Sequence, residues 1–331
     1  MSKLTRYAAT TQSLSLAAME EASRRGLREA DLEDLFLALA LSDQPAGQSL
    51  RQLGITISTA RAAVEGHQKE QIASLGVTAH IPEAGNIVFH ETGGYEWSRR
   101  ARDLIGRAGE KGRTADAAAV LRELLDEPSG LMTELLHRLG TTPASVLEEL
   151  ERLESTRPVA TRREASSQGE ATGSTGAFVP GDIEDVWAFL ADPARIPGWE
   201  PAIGAVESAG GTAMPGMTWT AYAQLIRPDG KPIKVHEKYR RRTIELLKSE
   251  HLTRIDWRFS YPDAPTSTPI IIGMGLEPTK GGTQLRITMT WFKHQGLRSV
   301  LRAPLRPLQR FLSWIKLFQI SSSISRTFRQ T

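Results

Sequence analysis

Residues 154–175 read ESTRPVATRREASSQGEATGST, and Val159 is their only large apolar side chain. A stretch of that composition cannot bury a face, so no single core can run through it. The 331-residue chain is therefore expected to divide into a first domain over 1–153, a linker over 154–175 and a second domain over 176–331. Each domain is long enough for a core of its own. As flexible coil the linker would span roughly 25 Å.

The two sides of this stretch differ in charge. Residues 1–154 carry 17 basic and 23 acidic side chains, whereas 155–331 carry 24 and 15. Trp97 is the only tryptophan before the linker; the other six follow it. The halves are thus built differently. Hydrophobic residues make up 40 % and charged residues 24 %, the balance of a folded globular protein. The absence of cysteine removes disulfides, thiol nucleophiles, Fe–S clusters and cysteine-ligated zinc, and fits a reducing cytoplasm. The first residues lack the apolar core of a signal peptide, and no run approaches the ~18 apolar residues of a membrane span.

Within 1–153 an offset of 86 residues aligns the sequence with itself. Ala22, Gly26, Leu35, Leu39, Leu50, Leu53, Gly54 and Thr56 fall on Ala108, Gly112, Leu121, Leu125, Leu136, Leu139, Gly140 and Thr142. Each copy predicts an Ala-rich helix stopped by Gly, an apolar second helix (32–41; 116–125), a short Leu-rich helix ending in Leu-Gly, and a final helix. Proline at 143 suits the first turn of the last one. The pattern, with Asp-Leu-Phe-Leu-Ala-Leu at 34–39 and Leu-Arg-Gln-Leu-Gly-Ile at 50–55, resembles the Clp amino-terminal repeat over about Leu4 to Leu153. That resemblance implies an all-helical duplicated domain that receives peptides or adaptor proteins. Glu33 stands at the family's acidic position, which some members use in both repeats to hold phosphoarginine; Ala119 replaces it in the second copy. No G-x-x-x-x-G-K-[ST] loop is present, so the ATPase engine of Clp unfoldases is absent from this sequence.

In the second half, Asp182 precedes an amphipathic helix with Val186, Phe189 and Leu190 on its buried side, ending before Pro193. From Met217 the period changes to two. Trp219, Ala221 and Ala223, then Ile255, Trp257 and Phe259, then Ile270, Ile272 and Met274, then Leu285, Ile287, Met289 and Trp291 alternate with polar residues. Arg227–Gly230 and Gly281-Gly282 predict hairpin turns. A sheet with one apolar face needs a cover, and 308–328 is the long amphipathic segment left to supply it, with Phe311, Leu312, Ile315 and Phe318 recurring at helical spacing as its expected apolar row. The expected fold is an all-α duplicated helical repeat domain followed by an α+β helix-grip domain, an antiparallel sheet wrapped on a long C-terminal helix. The run 185–201 followed by Gly-Met-Thr-Trp at 216–219 resembles the SRPBCC superfamily, which is START-like and polyketide cyclase/dehydrase-like. The resemblance implies a site for a hydrophobic molecule between sheet and closing helix. Trp199, Trp219, Trp257, Trp291, Phe311 and Ile315 are the expected lining.

The seven histidines show no metal-ligand spacing. His236, Glu237, Tyr222 and Asp256 are ionisable, but they form no recognisable acid/base constellation. Catalytic residues, metal sites and cofactors are therefore not assigned. No acidic residue follows Glu277, while ten basic ones do. That end could meet an anionic membrane surface; nucleic acid is disfavoured because no binding motif accompanies the charge. The expected function is a non-enzymatic two-module binding protein, with a peptide or adaptor module joined to a module for a hydrophobic small molecule or lipid. A cyclase/dehydrase-like enzyme and a peripheral lipid-binding protein stand as the alternatives.

Overall fold

The computed structural model describes residues 3–76, 85–87, 94–110, 116–156, 170–207, 213–227, 230–292 and 306–329; the side chains of 3–8, 170–172, 292 and 306–311 lie outside that description. Two compact units divide the chain at Val159/Ala160.

The described part of the first unit is helical. Its elements are α1 (Lys3–Arg24), β1 (Glu29–Ala30), α2 (Leu32–Ala40), α3 (Pro45–Gln52), α4 (Ile57–Ser74), β2 (Glu96–Trp97), α5 (Arg99–Ala108), α6 (Ala117–Leu125), α7 (Leu131–Arg138) and α8 (Pro143–Thr156). The two-residue strands β1 and β2 pair in parallel. The helices form where Ala and Leu are dense, and they stop where a left-handed residue is needed. Gly54 (φ 84°) and Gly140 (φ 75°) supply that conformation after α3 and α7. Helix α2 is the hub, since Leu32, Leu35, Phe36 and Leu39 are wholly buried in it. Its neighbour α3 approaches closely, because a Cβ on Gly47 would lie 2.7 Å from the Leu39 carbonyl oxygen.

The second unit is a seven-stranded antiparallel sheet with helices on one face. Its elements are β3 (Glu170–Val179), α9 (Ile183–Ala191), a 3₁₀ turn at Pro193–Arg195, α10 (Ile196–Trp199), β4 (Ile203–Val206), β5 (Thr218–Ala223), a 3₁₀ turn at Glu237–Tyr239, β6 (Arg241–Glu250), β7 (Arg254–Ser260), β8 (Ile270–Thr279), β9 (Gly282–Phe292) and α11 (Arg306–Thr327). The strand order is β3-β9-β8-β7-β6-β5-β4. Alternation sends Ile255, Trp257 and Phe259 of β7, Ile272 and Met274 of β8, and Leu285, Ile287 and Met289 of β9 to the inner face. This is the helix-grip architecture, with α11 packed along β3 and β9. Gly282 (φ 156°) closes the β8–β9 hairpin where a Cβ would lie 2.2 Å from the Val179 carbonyl oxygen.

Four expectations change. Residues 154–156 complete α8 and 170–175 belong to β3, so the stretch between these elements shrinks to 157–169, which lies outside the described residues. Strand β3 is an edge strand bonded only to β9, and backbone pairing there does not require apolar side chains. Around the expected turn at 227–230, of which 228 and 229 lie outside the described residues, the Gly230 amide donates to the Arg227 carbonyl at 2.9 Å and Ile226 bridges to Pro232, but among the described residues no long hairpin follows, and β5 pairs with β4 and β6. Strands β4 and β6 were not anticipated. In β6 a register shift between Leu246 and Lys248 breaks the period of two. Finally, the buried row of α11 is Leu317, Ile320, Ser321 and Ile324, whereas Leu312 is 55 % exposed and Ile315 and Phe318 are half-buried.

Candidate functional site

Helix α11 runs in the same direction as β3. Close approaches fix this: a Cβ on Gly173 would sit 3.2 Å from Leu317 Cδ1, and one on Gly181 would sit 2.5 Å from Phe328 Cδ1. The N-terminal half of α11 therefore lies toward the start of β3, the end of β9 at Trp291 and the start of β8 at Ile270, which pairs with Trp291. In register, the row Trp291–Ile270–Phe259–Ile244 crosses the inner face at this end.

The two ends of the inner face are filled differently. Beneath α9, Leu190 and Trp257 are wholly buried. Trp219 and Trp257 meet edge to face with centroids 5.8 Å apart, and the buried Trp257 indole N–H donates to the Leu190 carbonyl at 3.1 Å. At the Trp199 end, Trp199 is fully buried and meets Phe259 edge to face at 6.2 Å. Tyr261, Ile270, Trp291 and Ile315 there are only half-buried. Trp257 thus sits beneath α9, Trp219 packs on it from the register row that also holds Trp291, Trp199 meets that row at Phe259, and the Phe311 side chain lies outside the described residues.

Charged groups gather at the Trp199 end. Arg242 of β6 shares the inner face with Ile244 and Leu246 and is 9 % exposed. Its guanidinium lies over the Tyr261 ring, 5.6 Å from the centroid. Glu200, 1 % exposed, follows Trp199 at the corner into β4; its Oε1 accepts from the Ala202 amide at 3.2 Å, and Lys316 Nζ of α11 stands 3.3 Å from Oε2. That pair ties the N-terminal half of α11 to the α10–β4 corner. Sequence reading passed over Arg242 and Glu200 and counted Lys316 as part of the basic end. The available signal was phase, since Arg242 alternates in step with Ile244 and Leu246. The basic end is also less outward than its sequence suggests, because Arg329 is 3 % exposed.

The ionisable residues considered from sequence lie elsewhere. Tyr222 is exposed and donates to Glu207 at 2.6 Å, a bond that raises its pKa. Asp256 faces outward with Arg254 at 3.0 Å, and His236 and Glu237 are exposed. No cluster of three or more His, Asp or Glu ligands for a metal occurs among the described residues.

In the first unit, Glu33 is half-buried in the first turn of α2, and its Oε2 is buried without a hydrogen-bond partner among the described residues. Beside it Asp34 is wholly buried, with Arg25 Nη2 2.6 Å from Oδ1 and the Asp31 amide donating to Oδ2 at 3.0 Å. Burial pushes the Asp34 carboxyl up to about 6, against the pull of Arg25. Burial also raises Asp31, but hydrogen bonds from Ser98 and Arg100 outweigh it and hold that carboxyl below its ordinary value. An open groove of about 440 Å³ is lined by Gly54, Thr59, Ala62, Ala63, Arg138 and Leu139. Glu33 is not among its walls.

No described helix is long and apolar enough to cross a membrane. No curated protein matches the sequence. Among solved structures the chain is similar to a Chromobacterium violaceum protein (16 % identity, 46 % of this chain and 96 % of that one, TM-score 0.32). It is likewise similar to Ara h 8.0201 (15 %, 49 % and 100 %, TM-score 0.33) and to the ginseng major latex-like protein 151 from Panax ginseng (12 %, 48 % and 98 %, TM-score 0.34). None of these comparisons points to a Clp amino-terminal repeat in the first unit. The family match falls wholly within the second unit: residues 181–301 are similar to the family described as activator of Hsp90 ATPase homolog 1-like protein, an SRPBCC-like domain.

Proposed function

We propose that this chain is a two-module binding protein whose second unit takes a hydrophobic small molecule or lipid at the Trp199 end of the grip. The observation that carries this is the contrast between the two ends of one apolar face. Trp257, Ile272, Met274 and Ile287 are wholly buried along the rest of the face, whereas Tyr261, Ile270, Trp291 and Ile315 remain half-buried beside the fully buried Trp199. An apolar surface partly covered by its own helix, with a few polar groups at its margin, is the usual make-up of a small-molecule site. The SRPBCC-like similarity of 181–301 supports the same reading. On this reading Trp199, Trp291, Ile315 and Phe311 meet the ligand, while Trp219 and Trp257, packed edge to face, form the floor.

The first unit is read as a duplicated repeat that docks a peptide or adaptor. Helices α3 and α7, and likewise α4 and α8, start 86 residues apart, the offset of the sequence identities. Glu33, with its unpartnered carboxylate oxygen, is the residue read as meeting a cationic group of that partner.

Titrating the full chain with decanoate, methyl decanoate, naphthoate and methyl naphthoate tests the ligand reading. At least one should quench tryptophan fluorescence saturably and raise the melting temperature, by about 2.7 kcal/mol of linkage at a hundredfold excess over Kd. Four flat titrations with no thermal shift would remove the ligand site.

A further inference from the structure

Polar groups at the Trp199 end are unevenly satisfied. The Nε of Arg242 is buried with no hydrogen-bond partner among the described residues, and the fully buried indole N–H of Trp199 has none either. Both are donors. Buried donors are almost always matched, and a buried cation without an anion is among the costliest arrangements a fold can hold. The neighbouring acids are engaged on other business: Asp263 pairs with Arg241, Glu245 with Arg258, Asp256 with Arg254, and Glu200 with Lys316. No described carboxylate stands within ion-pair range of Arg242.

The two donors border the same stretch of β7. Phe259 receives the edge of Trp199, and Tyr261, two residues on, lies under the Arg242 guanidinium. Register places Arg242 one same-face position from Ile244, the residue opposite Phe259. A guanidinium at the margin of a half-covered apolar surface, with an unpartnered indole N–H bordering the same strand, has the chemistry to read the head of an amphipathic anion. Its planar fork matches a carboxylate, and charge-assisted bonds of this kind are about twice as strong as neutral ones.

We infer that the molecule taken by the second unit is an amphipathic organic acid, its tail against Trp291, Ile270 and Ile315 and its carboxylate held by Arg242, with Trp199 donating alongside. The inference rests on the ligand reading above and specifies what that site selects.

The test compares acid with ester in the full chain at neutral pH, using the decanoate and naphthoate pairs. The acid of whichever pair binds should bind at least about tenfold tighter than its methyl ester. Arg242→Met, with folding checked by circular dichroism, should bring the acid down to the affinity of the ester and leave the ester unchanged. The acid-to-ester ratio in the unaltered chain decides the matter even where that variant fails to fold. Equal affinity for acid and ester would overturn the head-group assignment while leaving a hydrophobic site in place. An acid preference that survives Arg242→Met would overturn the role of Arg242. No binding in either pair would remove the site itself, and this inference with it.

Discussion

Asp34 is a single carboxyl whose environment sets a pH dependence for the first unit. It is wholly buried, and desolvation outweighs the Arg25 ion pair, so its folded pKa of about 6 lies above the ordinary value near 3.9. Between pH 4 and 6 the folded state therefore holds a proton that the unfolded chain has released. The Asp34 contribution to stability is present at pH 4, falls as pH rises through 6, and is flat above. Asp34→Asn removes this slope. The stability difference between the native chain and the variant should shift by up to about 3 kcal/mol across that window, read from urea midpoints of the helical signal. Parallel profiles would mean that Arg25 keeps Asp34 ionised throughout. Asp34 was visible in the sequence only as one of three acids opening a helix. Its burial, and its pairing with Arg25 just after α1, come from packing against other elements, which spacing along α2 cannot reveal.

Among the elements, α11 offers the clearest contrast between pattern and packing. Its sequence offers two apolar rows, one through Leu312, Ile315 and Phe318 and another through Leu317, Ile320 and Ile324, and periodicity alone does not choose between them. The sheet chooses the second row, because Gly173 on β3 leaves room for Leu317 to approach. Leu317→Ala should accordingly cost about 2–4 kcal/mol, while Leu312→Ala should stay within about 0.5 kcal/mol. Denaturation followed by tryptophan fluorescence separates the two. Equal costs would place the seam on the other row. Strands β7, β8 and β9 were legible because their alternation is uninterrupted, whereas β6 hid behind its bulge at Leu246–Lys248. The same hidden strand carries Arg242, so the most informative residue of the candidate site went unread along with it.

At the scale of the molecule, the division into two units was legible, since a stretch poor in apolar side chains cannot join two cores. Limited proteolysis of the full chain should cut first within 157–169 and leave two stable fragments, read by mass spectrometry. Resistance there, with first cuts inside either unit, would contradict the division. Composition and period also determined the class of each half: helices where Ala and Leu recur at three and four, strands where tryptophan and isoleucine recur at two. These signals survive in one dimension because they describe which side of an element faces away from water. What only tertiary structure decided is which groups meet. The pairing of Lys316 with Glu200, the burial of Arg242 beside Tyr261, the packing of Trp219 on Trp257 and the half-covered end at Trp199 each join residues from different elements. Their energies depend on distance and desolvation, and neither quantity exists until the sheet has closed on its helix.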